Sequence, residues 1–203
     1  MDLISAITYL GLAGIIVCGI VGLIKKQYQP QPFSFLIYFI SGAISLFYMF
    51  VNQSHWLPLI VEATSVIWNF TLTIIGFWMV FHKRIQYHLK KIDFALFGLA
   101  ILGFIIYFLI DNLTFAAIVN SSISLFAPLI TIRKLWEAPQ TEMVSLYSAA
   151  ALAWTANAFR MQNLNDFIIF GIWTPVSILS LGLLIVRKYI IPPNPLNQYE
   201  KKT

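Results

Sequence analysis

The sequence predicts an all-α, polytopic membrane protein with seven transmembrane helices, and three observations predict it. Hydrophobic residues make up 59% of the chain and charged residues 10%, outside the balance of soluble domains. Seven mostly apolar runs each approach the roughly 20 helical residues that cross a hydrocarbon core of about 30 Å. Twelve of the 13 lysines and arginines fall in alternate connections or after the last run. A mean hydropathy of +0.79 agrees.

Taken in order, the first run, 3–24, carries Gly11, Gly14, Gly19 and Gly22, small residues that allow close helix packing, and ends at Lys25 and Lys26. The second, 33–51, follows a proline turn. The third, 57–81, holds Glu62, Ser65, Trp68, Asn69 and Thr73 and stops before Lys83 and Arg84. The fourth, 92–110, has no strong polar group between its ends and reads as a lipid-facing connector. The fifth, 113–132, contains Asn120, three serines and Pro128, then Arg133 and Lys134. The sixth, 143–161, contains Trp154 and Asn157. The seventh, 165–186, contains Trp173, Ser177 and Ser180 around Pro175, before Arg187 and Lys188. Lipid cannot satisfy backbone polar groups, so continuous apolar runs of this length are helices and not barrel strands.

The cation pattern orients the chain. Positive residues favour the cytoplasm, which puts the N terminus outside and the C terminus inside. The net charge of +5 is then a topology signal, and no nucleic-acid partner is expected. Cations at the cytoplasmic boundary are expected to be solvated beside the lipid headgroups. Met1-Asp2 lacks the basic start of a cleavable signal. The single cysteine, Cys18, excludes an intramolecular disulfide and a cysteine-built metal site.

Two cassettes echo one another. Lys25-Lys26-Gln27-Tyr28-Gln29-Pro30-Gln31-Pro32 follows the first run, and Arg133-Lys134-Leu135-Trp136-Glu137-Ala138-Pro139-Gln140 follows the fifth. Each is two cations, an aromatic and a proline turn. With helix four as a spare, helices one to three and five to seven become two parallel triplets in a 3+1+3 plan. The divisions are 1–91 for the first bundle, 92–112 for the linker helix, 113–189 for the second bundle and 190–203 for a cytoplasmic tail.

This organisation resembles the SWEET and PQ-loop membrane transporters. Pro128-Leu129-Ile130-Thr131-Ile132-Arg133-Lys134 is similar to that family's PQ motif, with Leu129 where the motif has glutamine. Ser145, Trp154 to Asn157, Asp166-Phe167-Ile168, Pro175 and Gly182 follow in an order similar to the last two SWEET helices. The Pro-Gln pairs at Pro30 and Pro139 lie in loops and are set apart from the motif. The resemblance implies a midplane site lined by asparagines on the third helix of each triplet and tryptophans on the second. Asn69 and Trp154 match those positions, while Ser177 or Thr174 stands for the second asparagine and Phe47 or Tyr48 for the first tryptophan.

The residues point the same way without the family. Polar side chains near a bilayer centre are costly to leave bare and turn inward. An amide such as Asn69 both donates and accepts, and Trp68 beside it offers a flat apolar face. The expected substrate site is Asn69, Trp68, Trp154, Asn157, Asn120, Trp173 and Ser177, with Pro128 and Pro175 as gating hinges. Glu62, the one carboxylate inside a predicted span, is a candidate for proton coupling or for a pair with Arg160 at the outer rim. Trp56 and Trp136 read as belt anchors. The expected function is transport of a small neutral polar solute, sugar-like or vitamin-like, by alternating access across a bacterial inner membrane. A receptor or sorting protein of the same plan, binding without transport, is the alternative. No lysine stands in helix seven for a retinal Schiff base, and His55, His82 and His88 lie at boundaries, so no enzyme, cofactor or metal is expected. Self-association into a homo-oligomer stays open.

Overall fold

The computed structural model describes residues 3–51, 56–85, 88–159, 171 and 173–191. Among these there is no strand, and the helices form seven rods. They are α1 Leu3–Ile24, α2 Pro32–Val51, α3 Trp56–Phe81, α4 Lys91–Tyr107, α5 Leu113–Ser124 leading at once into α6 Phe126–Glu137, α7 Val144–Ala158 and α8 Trp173–Ile185. The last runs on as one π-helical turn, Val186–Ile190. Five stretches are long and apolar enough to cross a membrane: Leu3–Ile24, Pro32–Val51, Leu59–Phe81, Ile118–Glu137 and Trp173–Ile190. The 17 residues of α4 rise roughly 26 Å and the 15 described residues of α7 roughly 22 Å, short of a full span.

The surface is turned inside out relative to a water-soluble protein. Leu10, Phe50, Phe81 and Leu109 are each 70% or more exposed, whereas Ser34, Ser41, Asn120 and Thr141 are 5% or less. Apolar outside and polar inside is the distribution that a bilayer imposes, and it fits an integral membrane protein.

Local sequence explains where the rods stop. α1 and α3 end alike, with Lys26 at φ 59° and Lys83 at φ 50°, the left-handed turn that closes a helix. Gln27 N–H donates back to the Gly22 carbonyl at 2.8 Å, and Arg84 N–H to that of Met79 at 2.8 Å. At the start of α2, Gln31 Oε1 accepts from Ser34 N–H at 2.8 Å and Pro32 takes the first helical position. The fifth rod breaks because Pro128 has no N–H to offer the carbonyl four residues back, at Ser124, and its ring crowds that carbonyl. α5 ends at Ser124, and Leu125 N–H donates instead to Ser122. The rod also runs five residues past the expected limit of 132, so Arg133 and Lys134 lie within α6 and not after it.

Packing is by neighbours of unequal weight. α2 lies along α3, α1 along α7, and α7 along α8; α2 also meets α5 and α6. Gly11 permits the α1–α7 approach: a Cβ there would sit 2.7 Å from that of Ala153. α4 packs on α5, α6 and α2 through a cluster of Phe33, Ile37, Ala100, Phe104, Ile123 and Ile130. Its other side exposes Leu102, Ile105 and Ile106, each above half.

Candidate functional site

Between the rods lies a cavity of about 200 Å³, roughly ten or more times the space that one water needs. Helical spacing puts the contributors of each element on one face. α3 supplies Glu62, Ser65, Trp68 and Asn69; α7 supplies Tyr147, Trp154 and Asn157; α8 supplies Trp173, Ser177 and Ser180. α5 adds Asn120 and Ser124, and α2 adds Tyr38, Ser41 and Ser45. No residue of α4 takes part. The cavity therefore gathers Asn69, Trp68, Trp154, Asn157, Asn120, Trp173, Ser177 and Glu62. Pro128 and Pro175 are not in its wall. Pro128 sits at the break between α5 and α6, whereas Pro175 is exposed in the first turn of α8 as described, where a missing N–H costs nothing.

The polar wall is fixed mostly by bonds within each helix. Asn69 Nδ2 donates to Ser65 Oγ at 3.3 Å. Ser177 Oγ donates to the Trp173 carbonyl at 2.6 Å, and Thr174 leaves the wall to bond the Trp154 carbonyl at 2.8 Å. Trp154 and Trp173 lie with ring centres 6.0 Å apart, and Tyr38 meets Trp173 edge-on at 5.4 Å. Trp68 lies over Gly19 of α1, where any side chain would overlap its ring. Asn120 Nδ2 donates across the interface to the Ser41 carbonyl and to Ser45 Oγ, both at 3.1 Å, while its Oδ1 is buried without a donor. Glu62 is 7% exposed and, among the described residues, has no hydrogen-bond or ion-pair partner. Arg160, its expected alternative partner, lies outside the described residues.

Tyr38, Ser41, Ser45, Thr131 and Tyr147 line the cavity and were not expected there from sequence. A signal existed in α2: Ser34, Tyr38, Ser41 and Ser45 recur at helical spacing through an otherwise apolar run. Phe47 and Tyr48, of which one was expected to stand for a tryptophan, are both absent from the wall, and Phe47 is 65% exposed on the outer surface.

Toward the basic end the cavity has a floor, and the floor is where the two echoing cassettes meet. Tyr28, Gln29 and Gln31 of the first are 3% exposed or less, as are Ala138, Thr141 and Glu142 in and just after the second. Gln29 N–H donates to the Thr141 carbonyl at 3.1 Å, joining loops 112 residues apart. Lys134 lies beneath them, 1% exposed, donating to the Gln29 carbonyl and to the Glu142 carboxylate. Its ammonium is 5.7 Å from the centre of the Tyr28 ring. This corrects one expectation. Lys134 is not a solvated rim cation, because α6 continues past it and the proline loops close over it. The Pro-Gln turns, in loops as expected, form the packed closure of the basic end. Burial pushes the Glu142 carboxyl above its ordinary range, while Lys134 above all, with Tyr147 and Lys188 behind it, pulls it back.

A second ionic group ties the neighbouring rods around this floor. Asp93, fully buried, accepts from Lys90 N–H at 2.9 Å and from the Arg133 guanidinium. Arg133 also bonds Glu137 at 2.7 Å, and Lys90 bonds the other oxygen of Glu137 at 2.6 Å. From α8, Arg187 stacks over Trp136 at 4.4 Å and Lys188 reaches the Glu142 carbonyl at 2.9 Å. Among the described residues no group of three His, Cys, Asp or Glu could hold a metal ion. Comparison with family models, with curated proteins and with solved structures returns no match.

Proposed function

We propose that this chain is a multi-pass transporter of a small polar solute, built on a SWEET-like 3+1+3 plan, with its basic end in the cytoplasm. The observation that carries the reading is the cavity: the seven residues expected from sequence to face a substrate, with Glu62 beside them, line one space, closed toward the basic end. The helix contacts support two related halves. α2 with α3 answers to α7 with α8, and α1 with α7 answers to the fifth rod with α2. A pseudo-two-fold arrangement of that kind sets a site between the halves, where either can rock against the other. The Lys134–Glu142 floor would be the closed cytoplasmic gate in this cycle, and the break at Pro128 the point at which the fifth rod bends.

In operation, Trp68, Trp154 and Trp173 would supply flat faces, and Asn69 and Asn157 directional hydrogen bonds. The test is solute flux in proteoliposomes, using any compound that raises the melting temperature of the purified protein. Asn69→Ala and Trp154→Ala are expected to cut uptake at least tenfold; unchanged uptake in both would remove the site assignment.

A further inference from the structure

We infer that the solute held in this cavity carries a cationic amine, and that Glu62 is its counter-ion. The inference rests on reading the cavity as a ligand site and narrows the neutral solute expected from sequence.

Among the described residues that line the cavity, Glu62 is the only one with a formal charge, and no cation on the wall answers it. An unpaired carboxylate in apolar surroundings is costly, and a ligand that brings the opposite charge removes the cost. Lys134, the nearest buried cation below, is engaged by Glu142 and the Gln29 carbonyl.

A second observation is independent of that charge: several polar groups of the wall have already spent their protons and keep acceptors to offer. Ser177 and Ser124 direct their protons to backbone carbonyls of their own helices, and Thr8 does likewise, leaving lone pairs for a ligand. Asn120 spends its amide protons on Ser41 and Ser45, and its buried Oδ1 has no donor. Asn120 is near Glu62 by way of α2: it bonds Ser41, and Glu62 Oε1 is 3.2 Å from where a Cβ on Gly42, the next residue, would stand. An ammonium group has three donors and no acceptor, the complement of such a wall. The indole faces of Trp68, Trp154 and Trp173 add attraction for a cation that they do not offer to an alcohol. A bound divalent ion is disfavoured by the same census, since one carboxylate is too few ligands.

The test uses the full chain in detergent and matched probes: isobutylamine against isobutanol, and 2-phenylethylamine against 2-phenylethanol. The amine of at least one pair should raise the melting temperature and bind at least tenfold more tightly than its alcohol. Glu62→Gln should lose that preference, and Glu137→Gln, outside the cavity, should keep it. Because Glu62→Gln could disturb folding, the wild-type protein supplies a second readout. A hydrophobic carbodiimide should modify the Glu62 carboxyl, and the amine, but not the alcohol, should protect it. Equal or better binding of the alcohols, or unchanged modification with amine present, overturns the inference while leaving the cavity as a ligand site. Failure of every probe to bind also overturns it, and the flux of the Asn69→Ala protein then judges the transport reading separately.

Discussion

Replacing Glu142 by glutamine should loosen the basic end. The substitution keeps the shape of the side chain and removes its charge, so that Lys134, 1% exposed, loses the carboxylate it is paired with. At 4 Å, the outer limit of an ion pair, two charges attract by about 4 kcal/mol at an effective dielectric of 20. Breaking a buried pair from one side costs about 3–5 kcal/mol in proteins, consistent with that figure. The Gln29 carbonyl still receives its bond from Lys134, so that contribution is unchanged. Removing both charges, as Lys134→Met with Glu142→Gln, takes the buried charge away as well. What is lost then is the bond from Lys134 to the Gln29 carbonyl, at about 1–3 kcal/mol. The double variant should therefore be more stable than Glu142→Gln alone by about 2 kcal/mol. Unfolding free energies in mixed micelles measure all four corners of the cycle. A Glu142→Gln protein within about 1 kcal/mol of wild type, or a double variant less stable than the single, would refute the buried-pair account.

Other perturbations have equally definite outcomes. Lys134→Met frees the Glu142 carboxyl to rise further above its ordinary range. A raised folded-state acid stabilises below the unfolded value, near 4.3, and loses that contribution as pH climbs through the folded value. The variant should thus gain stability relative to wild type on acidification, and a flat difference between pH 4 and 8 would contradict it. Gly11→Ala should destabilise by about 1–3 kcal/mol, because its Cβ meets Ala153 at 2.7 Å. Gly98→Ala, which meets nothing, should stabilise by about 0.5–1 kcal/mol, and thermal unfolding ranks the pair. Lys83→Gly should relieve a left-handed backbone at φ 50° and stabilise by about 1 kcal/mol; a loss of that size would show that the lysine side chain matters more.

The fold and the cavity wall were legible in the sequence for one physical reason. In a membrane protein, a polar residue within an apolar run has few places to face, so Asn69, Asn120, Trp154 and Ser177 announce an interior. The same logic overlooked α2, where single serines three or four residues apart looked too weak to name a face until Tyr38, Ser41 and Ser45 lined up on it. The floor was less legible. A cation at the end of an apolar run reads as a topology signal whether it meets water or a carboxylate, and nothing local separates Lys134 from Lys25. The distinction arises from Gln29 and Glu142, which reach Lys134 only once the two proline loops have folded over α6. Asp93 was hidden similarly, since its partner Arg133 lies 40 residues away.

The central claim, that the cavity is reached alternately from both sides of a membrane, is tested by labelling one cavity cysteine. Ser177→Cys in a Cys18→Ala background, reconstituted in oriented vesicles, is exposed to a membrane-impermeant maleimide from each side in turn. The account predicts modification from both faces, with the cytoplasmic rate rising when Glu142→Gln unlocks the floor. Modification from the outer face alone, unchanged by Glu142→Gln, would contradict it and leave a receptor that binds without transport.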